Sequence, residues 1–131
     1  MLLCDAAQAV GGKLFVLGGG WSLIYQPDVP TPAALAVKVA VPWDRANEQL
    51  TIRAVLLTED GEPVDLGAED VQAEGQVEVG RPPGLKRGQP LDLVFVLNFG
   101  PMPYPAGGYV WELSINDEVG ARTPFRVLPG Q

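Results

Sequence analysis

MLLCDAAQAVGGKLFVLGGGWSLI, residues 1 to 24, opens the chain, and what these residues form decides the fold. Three structures compete for an apolar run broken first by Gly11-Gly12 and then by Gly18, Gly19 and Gly20: a secretion signal, a phosphate-binding loop, and the first hairpin of a sheet. A signal needs a basic start, an apolar centre of about 7 to 15 residues and a small-residue cleavage site. Here the first basic residue is Lys13, and Asp5 and Gln8 interrupt the run before it. No stretch approaches the roughly 18 apolar residues of a membrane helix. A Walker A loop requires a glycine five positions before its Gly-Lys pair and a hydroxyl residue after it, whereas Ala7 and Leu14 occupy those places around Gly12-Lys13. The residues after Gly20, Trp-Ser-Leu-Ile, suit a strand better than a helix whose N-terminus would hold a phosphate. The hairpin remains: a strand over Leu2 to Gln8, a turn at Val10 to Gly12, and a second strand from Lys13 that the glycines bend or bulge before it resumes at Trp21 to Tyr25. On this reading the mature chain begins at Met1, no membrane is a partner, and the three glycines are architectural.

Alternation continues along the chain. Ala33 to Val41 sets Leu35, Val37, Val39 and Val41 on one face with Lys38 opposite, and Leu50 to Thr58 is strand-like up to the turn signal Asp60-Gly61. Val71, Ala73, Gly75, Val77 and Val79 alternate with Gln72, Glu74, Gln76 and Glu78, the cleanest period of two in the chain. Further apolar faces follow from Leu91 to Phe99, from Tyr109 to Ile115, and from Ala121 to Val127, where Arg122 and Arg126 point outward. No segment holds a helical period over ten residues, and the one helix candidate, Asp44 to Gln49, spans a turn or two. With 16 glycines and 13 prolines punctuating short strands, the expected fold is an antiparallel, immunoglobulin-like β-sandwich of about seven to nine strands. One domain is expected over residues 1 to 131, since a chain of this size can bury a sizeable core without staples, and 47% hydrophobic with 19% charged residues is a globular composition.

Composition also removes chemistries. Histidine is absent, which excludes Ser-His-Asp and Cys-His catalysis and imidazole metal ligation. The single cysteine, Cys4, permits no internal disulfide and suits a reducing, cytoplasmic compartment. In an apolar stretch it reads as a packed small residue rather than a nucleophile. Nine basic residues against 16 acidic ones leave a net charge of -7, which repels nucleic acid and anionic lipid. Arg81, Lys86 and Arg87 read as a solvated loop. The acidic groups Glu59, Asp60, Glu62 and Asp65, Glu69, Asp70 lack the spacing that aims oxygens at one calcium ion. No catalytic residue, cofactor or metal is expected.

One local device sharpens the fold. Pro105-Ala-Gly-Gly-Tyr109 leads directly into an alternating strand, the pattern of a tyrosine corner, in which a tyrosine hydroxyl bonds to backbone a few residues upstream. Tyr109 is expected in that role, with Trp111 inward on the same strand. The motifs Leu3-Cys-Asp5-Ala-Ala7, Gly12-Lys-Leu14, Val16-Leu-Gly18-Gly19, Pro105 to Asp117 and Arg122-Thr-Pro-Phe-Arg-Val127 together resemble a bacterial family of short single-domain proteins described only as a domain of unknown function. The resemblance spans nearly the whole chain and implies a small β-sandwich without implying an activity.

Asp5, flanked by apolar neighbours, is expected to anchor structure, paired with Lys13, Arg53 or Arg122 if buried. Trp21, Trp43 and Tyr104 fall at strand ends or in loops, where rings can either anchor a protein partner, stack on a sugar, or cap the core. Pro101-Met-Pro-Tyr-Pro105 is either a recognition segment or a rigid connection. The functional expectation is a non-enzymatic domain acting through protein contacts, with itself as a homodimer or with another protein. The alternative is a carbohydrate-binding module using the loop tryptophans.

Overall fold

The computed structural model describes residues 1–66 and 71–130, so Glu69 and Asp70 of the second acidic group lie outside the described residues. Nine strands follow one another: β1 Leu2–Val10, β2 Lys13–Gly19, β3 Leu23–Tyr25, β4 Ala33–Val41, β5 Leu50–Thr58, β6 Gln72–Val77, β7 Leu91–Phe99, β8 Gly107–Ile115 and β9 Glu118–Leu128. They form two sheets, ordered β2-β1-β4-β7 and β3-β9-β8-β5-β6. The fold is all-β, with the sheets packed as a sandwich around a shared core. Among the described residues the sole helical element is a 3-10 turn at Trp43–Arg45, shorter than the Asp44 to Gln49 segment expected.

Two tight hairpins set the registers. Val10 pairs with Lys13 across Gly11 and Gly12, whose φ angles of 59° and 73° give the left-handed turn that matches strand twist. Asn116 and Asp117, at 51° and 65°, do the same between Ile115 and Glu118. Gly120 is then skipped in the ladder, because Leu113 pairs with Ala121 while Ser114 pairs with Val119.

The purely antiparallel arrangement needs correcting at one place. β3 runs parallel to β9, with Leu23 opposite Arg126 and Tyr25 opposite Leu128. The triple glycine is therefore not a bulge within one strand: it is where the chain leaves the first sheet and crosses to the second. Gly18 has a φ of 59° and Gly20 one of 85°, a region that other residues enter at a cost. A Cβ at Gly18 would fall on the Asp5 carboxylate, and one at Gly19 would lie 2.7 Å from a Val16 methyl.

The core is made by every second side chain of each sheet. Leu3, Leu35 and Val37 meet Ile52, Leu56, Leu113, Phe125 and Val127, with Trp111 at the centre. Strand β4 departs from the expected alternation, for all five residues from Ala33 to Val37 are buried. Leu35 and Val37 face the second sheet, while Ala34 and Ala36 are covered from outside by Cys4, Ala7, Leu14 and Val96. This second, smaller cluster exists because β1 pairs with β4 only over Leu2–Cys4, after which the hairpin brings Ala7 and Leu14 against the alanines.

Trp111 is fully buried and stacks on Phe99 of the opposite sheet, ring centroids 4.3 Å apart and planes 28° from parallel. Removing it leaves a cavity that neither sheet can fill. Trp111→Ala is expected to cost about 3–5 kcal/mol of unfolding free energy, measured by urea denaturation; an unchanged midpoint would show that the sheets cohere without this ring.

Candidate interaction site

Of the three aromatic residues singled out in the sequence, Trp21 and Tyr104 meet at one end of the sandwich and Trp43 lies apart. At the end of the sandwich where β8 begins, Phe125 stands among Trp21, Tyr104 and Tyr109. Its ring is edge-on to Trp21 at 5.7 Å and to Tyr104 at 5.5 Å, and stacked on Tyr109 at 5.4 Å. Tyr104 is a core residue, 8% exposed, rather than a surface anchor. The proline-rich connection folds back over β8 and presses this ring inward. Trp21 is half-buried with its indole nitrogen inaccessible, and it packs against the core beside Phe125.

Trp43 lies at the opposite end, after β4. The Arg81 guanidinium sits 4.3 Å from its ring centroid and also donates to the Trp43 carbonyl at 2.8 Å. One face of this indole is thus occupied by the protein's own cation.

Tyr109 takes the expected corner position, its hydroxyl donating to the Pro105 carbonyl at 2.5 Å. Burial raises its pKa. Burial, and secondarily Tyr109, pushes Tyr104 up to about 12. The Pro101–Pro105 segment is tied down as well, since Gln26 donates to the Tyr104 carbonyl at 3.0 Å. The open depression beside it, about 560 Å³, is lined by Pro27, Pro30, Met102 and Pro103, with Asp28 its sole ionisable side chain apart from Tyr104. Such a surface has no acid-base pair.

Asp5 is exposed rather than buried, and its carboxylate lies over Gly18. The cations considered for it are engaged elsewhere in two cases: Arg53 with Gln72 and Arg122 with Glu112. Cys4 is fully buried, its thiol donating to the Ala34 carbonyl at 3.4 Å. Burial first, then the neighbouring Asp5, raises its pKa, which keeps it protonated. Among the described residues no group of three or more metal-ligating side chains comes together, and no helix is long and apolar enough to cross a membrane.

The strand predicted from Lys13 is present as β2, but sequence reasoning missed that it lies at a sheet edge with its apolar side chains exposed. Phe15 and Leu17 are 57% and 72% exposed, with Val10 and Val16 beside them on the same hairpin. Nine large apolar residues are exposed among the described residues, and seven of them lie between Leu2 and Tyr25. The signal was present: Leu14-Phe15-Val16-Leu17 does not alternate, so a strand of that composition at a sheet edge must show apolar side chains to water.

The match to known families agrees with this whole-chain architecture. Residues 1–128 match the model of a family of unknown function, DUF6941. The chain belongs to that family. No curated protein is significantly similar to it. Membership in DUF6941 covers both sheets, the Gly18–Gly20 crossing and the Tyr109 corner, and it names no substrate or partner.

Two measurements check the aromatic end. Tyr109→Phe removes the corner hydrogen bond and is expected to lower stability by roughly 1 kcal/mol; equal unfolding midpoints would refute the bond's contribution. Because both tyrosines are raised above their unfolded values, the folded state holds protons that the unfolded state releases. Stability is therefore complete below pH 10 and falls as pH rises toward the Tyr104 value of about 12. An ultraviolet titration should show one phenol ionising near pH 12 that is missing from Tyr104→Phe.

Proposed function

We propose that this protein is a non-catalytic, cytoplasmic β-sandwich of immunoglobulin-like type that acts through protein contacts made at the β2 edge. The observation that carries this reading is the concentration of exposed apolar side chains on an edge strand whose outer backbone groups have no partner strand among the described residues. An edge of that kind accepts an added strand: backbone hydrogen bonds supply affinity and the alternate side chains supply selectivity. Natural sheets usually blunt such an edge with charge or proline, and β2 carries one charge, Lys13, at its very start.

The immunoglobulin-like assignment is supported by strand order. The run β9-β8-β5-β6 corresponds to G-F-C-C′ of a variable-type domain, and β1-β4-β7 to A-B-E. Tyr109 then sits at the start of strand F, and Trp111 stands two residues later, where antibody domains place the second cysteine of their inter-sheet disulfide. The absence of histidine from the sequence and the protonated, buried Cys4 support a non-catalytic role. Carbohydrate binding has less support, because Trp21 packs against the core and Trp43 lies under Arg81.

The reading is tested by a photo-crosslinking residue placed at Leu17 and, as a control, at Gln76 on the exposed side of β6, in an extract of the source cell. A protein trapped at position 17 and not at 76 is expected. Equal labelling at both positions would discard the β2 edge as a docking surface.

A further inference from the structure

We infer that the occupant of the β2 edge is a second copy of this chain, added antiparallel across a two-fold axis so that two four-stranded sheets join into one. This inference rests on the edge-docking reading above and names its partner. The first argument is charge. Residues 1 to 25 contain two charged side chains of opposite sign, Asp5 and Lys13, so the entire net charge of -7 resides in the remainder of the chain. Two copies repel one another over most of their surfaces and meet no net repulsion at this edge.

The second argument is self-complementarity. A two-fold axis passing beside Val16 sets Val16 against its own copy and Phe15 against Leu17, the latter pair occurring twice and keeping opposed side chains on one face. Aromatic and branched aliphatic neighbours across strands are favourable pairings. The same axis puts the two Lys13 residues at opposite ends of the paired segment, so like charges do not meet. A foreign strand would have to supply a comparable apolar run, whereas a second copy carries one already in register.

Size sets the strength. β2 has seven residues, and one strand edge falls short of the roughly 800 Å² per partner of a standard stable interface. The dimer should therefore be concentration-dependent, dissociating on dilution.

Light scattering coupled to size exclusion, run over a range of loading concentrations, reads the outcome directly. The expected mass rises from that of one 13.9 kDa chain toward twice that value as concentration increases. Leu17→Lys, at a position exposed enough to leave the fold intact, should hold the mass at the monomer value, with an unchanged circular dichroism spectrum and melting temperature. Gln76→Lys should dimerise like the wild type. A wild type that stays monomeric throughout overturns the inference, and so does a dimer that Leu17→Lys fails to disrupt. Crosslinking at position 17 to a different protein, together with a monomeric wild type, would leave edge docking standing while removing the second copy. Failure of both experiments would remove both readings.

Discussion

The stack of Trp111 on Phe99 is the contact on which the two sheets depend. Each sheet has one apolar face that must leave water, and burial of such faces is the main favourable term in folding. The lone cysteine cannot bridge the layers, so cohesion falls to shape and ring contact. Trp111 contributes from the middle of β8, between β9 and β5, while Phe99 ends β7 on the other sheet. The flanking residues Leu35, Val37, Leu56 and Leu113 fill the space around them. Edges and loops can differ widely without disturbing this centre.

From the centre outward, the molecule has two unlike halves. The end containing Trp21, Tyr104, Tyr109 and Phe125 is an extension of the core, closed by aromatic contacts and by the Tyr109–Pro105 hydrogen bond. Beyond Leu3, which enters the main core, the N-terminal hairpin buries only small residues, Cys4 and Ala7 against Ala34 and Ala36, and leaves Val10, Phe15, Val16 and Leu17 outside. That inversion, small side chains inward and large ones outward, separates β2 from the strands that build the core. Ion pairs elsewhere, such as Arg122 with Glu112 and Arg126 with Glu59, are exposed and contribute little to stability.

Most of this fold was legible in the sequence because alternation and turn chemistry agree. The faces of β5, β6, β8 and β9 follow the period of two, and Gly11-Gly12 and Asn116-Asp117 stand where tight turns fall. Pro105 to Tyr109 announced the corner by its spacing. The parallel partner of β3 could not be read, since three residues carry no period and the pairing is fixed by the distant strand β9. Tyr104 lies in a connection, as its sequence context predicts, but which of its roles it takes was not legible because nothing local reveals that its ring packs on Tyr109 and Phe125. The double burial of β4 was hidden for a related reason: alanines at positions 34 and 36 look neutral until the hairpin covers them. The exposed edge was visible in Leu14 to Leu17 only once the strand was known to lie at a border.

The parallel pairing of Leu23–Tyr25 with Arg126–Leu128 ties an early segment to the last strand. During synthesis, β3 emerges from the ribosome long before the strand it needs, so the second sheet cannot close until β9 has followed. The first sheet obeys a similar delay, for β4 must wait for β7. The most apolar hairpin is thus made well before the strands that complete either layer, and a hairpin alone is marginal in water, so its apolar side chains wait on β7 and β9 for a finished sandwich to rest on.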